Sequence, residues 1–124
     1  MKNILIIEDE PGIIRLLSHL IELYLCERGG VKIETAKTTN DAERMIRQCK
    51  LDAIFIDGNL SGGRLDGPET THLIVLAQLH QPTAKLIACS GDQETMDLFE
   101  IVGCHHDLMK PIRLEKLGGI LVSI

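Results

Sequence analysis

No tryptophan occurs in the 124-residue chain, and only one tyrosine and two phenylalanines, so aromatic side chains cannot fill an interior. The hydrophobic fraction of 44% must then build a core mainly from Leu, Ile and Val. No apolar run approaches the about 20 residues of a membrane-spanning helix, and no secretory pattern of charged start, apolar stretch and cleavage site follows Met1. A cytoplasmic protein is expected. Positive charge is scarce. Thirteen Lys and Arg stand against eighteen Asp and Glu, a formal charge of -5, which repels phosphate backbones and anionic lipid and argues against direct nucleic-acid or membrane binding. The four cysteines, Cys26, Cys49, Cys89 and Cys104, lack the paired spacing of metal ligands, and each sits in or beside an apolar segment. Reduced thiols acting as small buried hydrophobes are expected. Linkers, repeats and low-complexity tracts are also missing, so residues 1–124 read as a single domain.

Five short apolar runs have the composition of strands buried on both faces: residues 3–7, 31–36, 52–56, 84–89 and 105–109. Helical periodicity fills the intervals. It is plainest where Ile13, Leu16, Leu17, Leu20, Ile21 and Tyr24 form one stripe, and it returns with Ala42, Met45, Ile46 and Cys49. Pro11 and Pro68 suit first-turn positions, Asn40 with Glu43 resembles a capping box, and Gly29, Gly30 and Gly103 follow helix ends. Strand and helix alternating five times predict an α/β fold, a doubly wound five-stranded parallel sheet of flavodoxin-like order 2-1-3-4-5 with five helices.

In such a sheet the ligand site lies beyond the carboxyl ends of the strands, near the reversal of strand order. Four of the five predicted strand tips carry chemistry. The first ends in Glu8, Asp9 and Glu10, the third in Asp57, the fourth in Ser90 and the fifth in Lys110. Strands one and three are neighbours in this order, so Glu8, Asp9 and Asp57 converge. Mutually repelling carboxylates call for a hard cation, and Mg2+, or Mn2+ in its place, suits a few carboxylates with water and phosphate oxygens. A metal-bound carboxylate beside a hydroxyl and an ammonium is an arrangement for phosphoryl transfer. Asp57 is then the nucleophile, with Glu8, Asp9 and Asp57 about the metal and Ser90 and Lys110 on the phosphoryl oxygens.

The segments IIEDEP (6–11), FIDGNL (55–60), LDG (65–67), ACSG (88–91) and LMKP (108–111) resemble, in order and spacing, the signature blocks of the response-regulator receiver family. They span almost the whole chain. The resemblance implies phosphorylation of Asp57 by a sensor histidine kinase or histidine phosphotransfer protein in two-component phosphorelay signalling, and metal binding by Glu8, Asp9, Asp57 and the backbone carbonyl of Asn59. It also implies phosphoryl contacts from Ser90 and Lys110, and tuning of the phosphoryl lifetime by Asn59 and Asp92. A downstream partner or a homodimer would use the face of the fourth helix, fifth strand and fifth helix. Such a domain is a signalling module rather than an enzyme, at most catalysing its own phosphorylation and dephosphorylation, and it occurs free-standing or within a longer chain. Two departures stand out. Asp107 replaces the usual Tyr or Phe switch residue three positions before the lysine, and Ser61 replaces a common proline, within the glycine-containing stretch SGGR (61–64).

Each residue also has an ordinary reading. An acidic triplet can be a solvated helix start, Ser90 can cap the helix beginning near Asp92, and Lys110 can be a surface charge. Those readings require coincidence at four strand tips of one sheet. His105 and His106 point to opposite faces of a strand and do not share an ion easily. Met96 and Phe99 at helical spacing read as core, and Gly118 with Gly119 weakens the last helix, so the apolar end ILVSI (120–124) is expected to meet a partner or further chain. Two other classes compete: a pseudo-receiver that binds proteins without regulation by phosphorylation, and a haloacid-dehalogenase-like phosphatase. The latter needs a second aspartate two residues past the first, where Asn59 stands.

Overall fold

Alternating side chains on strands buried from both sides must pack in two directions, and the structure divides them that way. The computed structural model describes residues 1–58 and 68–124, except the side chains of Pro68 and Glu69. Its elements are β1 (Lys2–Ile7), α1 (Pro11–Leu25), β2 (Val31–Ala36), α2 (Thr39–Gln48), β3 (Ala53–Asp57), α3 (Pro68–His80), β4 (Lys85–Ser90), α4 (Gln93–Val102), β5 (His106–Met109) and α5 (Leu114–Val122). The sheet order is β2-β1-β3-β4-β5, and every neighbouring pair is parallel. The predicted fold is the observed one.

Leu5, Ile7, Ile54, Ile56, Leu86 and Ala88 face α2, α3 and α4, meeting Ile46, Leu73 and Phe99. Their sequence neighbours Ile4, Ile6, Phe55, Ile87 and Cys89 face α1 and α5, meeting Leu17, Ile21, Leu117 and Leu121. All five residues of the central β3 are buried. Both phenylalanines lie in this core, and nearly all other large fully buried side chains are Ile or Leu. Met96 and Phe99 are core residues, as their spacing predicts.

Three local expectations need correction. The cap of α2 is Thr38, whose Oγ1 accepts the Asp41 N–H at 3.2 Å; Asn40 lies inside the helix. Extended backbone at Thr38 starts the helix two residues earlier and presents the hydroxyl to an unpaired helical amide. Cys26 is exposed, because it falls in the 3-10 turn just past α1, whereas Cys89 is buried and Cys49 and Cys104 are half-buried. Within the apolar tail, Ile120 and Leu121 pack into the domain's own core, and Val122 is exposed. Gly118 serves that packing: a Cβ there would stand 2.7 Å from Tyr24 Cζ, so its absence lets α1 and α5 approach. Gly103 ends α4 at φ 119°, a left-handed conformation that favours glycine. Among the described residues, no helix is long and apolar enough to cross a membrane.

Candidate functional site

The register of the sheet brings the charged tips together. Ile7 pairs with Ile56, so Glu8 and Asp57 follow side by side. Asp57 pairs with Cys89, and Ser90 with Met109, which leads Ser90 and Lys110 to the same edge. Glu8 is held by its backbone N–H to Ala36 O at 3.0 Å, and its Oε2 accepts the Glu10 N–H at 3.3 Å. Glu8, Asp57 and Ser90 are buried, with 2%, 3% and 2% of their surface exposed, which is unusual for carboxylates and marks a site rather than a solvated helix start.

Lys110 Nζ donates to Glu8 Oε1 at 2.8 Å and to Asp57 Oδ1 at 3.1 Å. The ordinary reading of Lys110 as a surface charge therefore fails. Its contact with Glu8 joins groups 102 residues apart and has no sequence signal. Oxygens of Glu8, Asp9 and Asp57 all lie within 4.8 Å of one another, the only such cluster of three or more ligating groups among the described residues. The electrostatics agree with a site that wants positive charge. Burial, with Asp57 beside it, pushes the Glu8 carboxyl up to about 7 against the pull of Lys110. For Lys110, burial works against the charge, but the hydrogen bond with Glu8 and the charges of Asp57 and Glu8 outweigh it and raise its proton affinity. Both groups hold protons more tightly than usual, Glu8 chiefly because it is buried and Lys110 because two carboxylates face it. An all-carboxylate donor set of this kind fits a hard divalent cation such as Mg2+.

Ser90 Oγ accepts the Asp92 N–H at 3.1 Å, which leaves its hydroxyl proton to donate. Asp92, not Ser90, caps α4: its Oδ2 accepts from Thr95 N at 3.0 Å and from Thr95 Oγ1 at 2.7 Å. Thr95 and Gly58 border the site and were not singled out by sequence. The Asp92-to-Thr95 interval is a helix-cap spacing, and it is the signal that could have found Thr95. Asn59, Ser61, the SGGR stretch and the LDG block lie outside the described residues.

Asp107 stands away from this cluster. It is exposed on β5, with Lys116 Nζ 3.5 Å from its Oδ1. His105 and His106 do take separate partners: His105 Nδ1 accepts the Leu86 N–H at 3.0 Å, and His106 Nε2 lies 3.2 Å from Ser123 Oγ.

Residues 4–121 match the family model described as "Response regulator receiver domain". Over 100 residues the chain is 30% identical to the autoinducer 2 sensor kinase/phosphatase LuxQ of Vibrio harveyi; the match covers 79% of this chain and 11% of that protein. Among solved structures, a CheY-like receiver domain from Methylobacillus flagellatus superposes with a TM-score of 0.78 at 26% identity, covering 99% of this chain and 98% of that one. The receiver domain of the Pseudomonas aeruginosa sensor histidine kinase PA1611, which has magnesium coordinated in its active-site cleft, gives 0.77 at 22% identity, covering 98% and 95%. A Burkholderia pseudomallei response regulator with a phosphorylated aspartic acid and a calcium ion gives 0.75 at 23%, covering 99% of this chain and 66% of that one. With its family match, strand order and acidic site in agreement, the chain belongs to the response-regulator receiver family, a signalling family of two-component systems rather than a family of classical enzymes.

Proposed function

We propose that this domain, spanning 1–124, accepts a phosphoryl group on Asp57 from a sensor histidine kinase or a histidine phosphotransfer protein in the cytoplasm. The observation that carries the reading is the burial of Asp57 between Glu8 and Ser90 with the Lys110 ammonium on its Oδ1. An Asp57 oxygen attacks phosphorus as the phosphorus–nitrogen bond of the donor phosphohistidine breaks, and the imidazole leaves with a proton. Lys110 offers its ammonium to one phosphoryl oxygen and Ser90 its hydroxyl proton to another. Glu8, Asp9, Asp57 and the Asn59 carbonyl would hold Mg2+ or Mn2+, which supplies charge neutralisation for the transferring group. Asn59 and Asp92 are assigned to phosphoryl lifetime, and self-catalysed phosphorylation and dephosphorylation are the only chemistry expected of the domain. Downstream, a protein partner or second copy would meet the α4–β5–α5 face.

Intact mass after incubation with Mg2+ and acetyl phosphate tests this. Wild type gains one phosphoryl group and Asp57→Asn gains none; an unmodified wild type, beside a control receiver that is modified, refutes the reading. The exposed Asp107, in place of an aromatic switch, favours one second reading, a protein-binding pseudo-receiver. That reading requires partner affinity to be indifferent to phosphodonor and to Asp57→Asn.

A further inference from the structure

Thr95 lies in the first turn of α4, 2% exposed, and touches two flanks of the site. On one side its backbone N–H and its hydroxyl both donate to the same oxygen of Asp92, at 3.0 and 2.7 Å. On the other its methyl faces Gly58, the residue after Asp57: a Cβ on Gly58 would stand 2.7 Å from Thr95 Cγ2. Gly58 in turn donates its N–H to Cys89 O at 3.0 Å, and Asp92 donates its N–H to Ser90 Oγ at 3.1 Å. The methyl therefore meets the turn after Asp57, and the hydroxyl meets the carboxylate two residues past Ser90.

Capping α4 requires only the bond from the Thr95 backbone amide. The hydroxyl adds a second, charge-assisted bond in a partly buried place, where such a bond holds a carboxylate in one orientation. That orientation matters because Asp92 is anchored to Ser90 at the rim of the site. Hydrolysis of phosphorylated Asp57 forms a bond from a water oxygen to phosphorus while the bond from phosphorus to the Asp57 oxygen breaks. Inorganic phosphate and the Asp57 carboxylate result, and the water gives up a proton to a base. A carboxylate released at position 92 could take that proton, whereas Thr95 holds its Oδ2 in the helix cap.

Resting on the reading of Asp57 as phosphoacceptor, we propose that Thr95 is a positioning residue that prolongs the phosphorylated state by holding the Asp92 carboxylate in the α4 cap, out of the path of hydrolysis. Thr95→Val keeps the branched packing against Gly58 and the backbone amide but deletes the hydroxyl. Thr95→Ser keeps the hydroxyl.

The experiment loads each protein with acetyl phosphate and Mg2+, removes the donor and follows loss of the phosphoryl group by intact mass, with urea unfolding to report the fold. Thr95→Val loses the group severalfold faster than wild type, Thr95→Ser decays as wild type does, and Thr95→Val combined with Asp92→Asn returns to the rate of Asp92→Asn alone. Should Thr95→Val not fold, Thr95→Ala deletes the hydroxyl together with the methyl, and Thr95→Ser, which lacks the methyl alone, serves as its control. Equal decay of Thr95→Val and wild type overturns the proposal, as does acceleration that persists with Asp92→Asn or that Thr95→Ser shares. A wild type that never loads overturns the phosphoacceptor reading itself, and this inference with it.

Discussion

The carboxyl-terminal rim of the sheet and the α4–β5–α5 face both carry ion pairs, yet they differ in what those pairs can do. At the rim, Lys110 meets two carboxylates that are almost wholly buried, at 2.8 and 3.1 Å. On the face, Asp107 and Lys116 meet at 3.5 Å with their side chains 62% and 52% exposed. Water and salt screen the second pair and hardly reach the first. The rim therefore holds charge in a preorganised form suited to chemistry, whereas the face offers a pair that a partner or a small movement can separate at little cost. A groove of about 470 Å3 beside Asp107, lined by Met109, Arg113, Glu115 and Lys116, adds to that openness. In this domain the acidic rim is the assembled region and the α4–β5–α5 face the adaptable one.

The comparison would break most visibly at Lys110. Lys110→Met leaves two adjacent buried carboxylates without their ammonium and costs about 3 kcal/mol in urea unfolding of the metal-free protein, the low end for a broken buried pair because Lys110 is partly exposed. Added Mg2+ recovers part of the loss; a cost as small as that of a surface pair would put the rim on a level with the face. Next in size is Gly58→Ala, whose Cβ would stand 2.7 Å from Thr95 Cγ2 and 3.3 Å from Phe99 Cε2. Overpacking there costs about 1–3 kcal/mol, read as a lowered urea midpoint, and an unchanged midpoint would mean α4 is not tightly seated on the Asp57 turn.

The rim should also show itself in pH dependence. Glu8 is raised from 4.5 to about 7 on folding, so between those values the folded metal-free protein binds more protons than the unfolded one. The Glu8 contribution to stability is full below 4.5 and is lost as pH rises through about 7. Glu8→Gln removes that decline from a stability profile measured in chelator; an identical slope in both proteins would assign it elsewhere. The smallest effect belongs to the face. A double-mutant cycle on Asp107→Ala and Lys116→Ala should give a coupling of about 0.5 kcal/mol or less, declining with salt, and a larger, salt-insensitive value would erase the contrast.

Much of this was readable along the chain. β1, β3 and β4 are apolar runs with polar residues at their ends, and the period of Leu17 and Ile21 marks the buried side of α1. Glu8, Asp57, Ser90 and Lys110 could be selected because each follows such a run in a parallel sheet, whose ligand edge is known in advance. The cap of α2 was misplaced because Thr38 and Asn40 are both competent caps, and only the backbone chooses between them. Thr95 went unnoticed for a different reason. Its spacing from Asp92 marks only a helix cap, and its importance comes from facing Gly58, which lies 37 positions away in the chain.

What the sequence by itself determined is periodicity: which residues alternate, where apolar runs stop, and therefore the parallel sheet and the set of charged strand tips. Those depend on neighbours within a few residues. Tertiary structure alone decided that Lys110 bridges Glu8 and Asp57, that Asp92 turns into the α4 cap, that Gly118 makes room for Tyr24, and that Asp107 faces solvent. Each of those outcomes is set by distance and burial between groups remote along the chain, and a one-dimensional pattern contains neither.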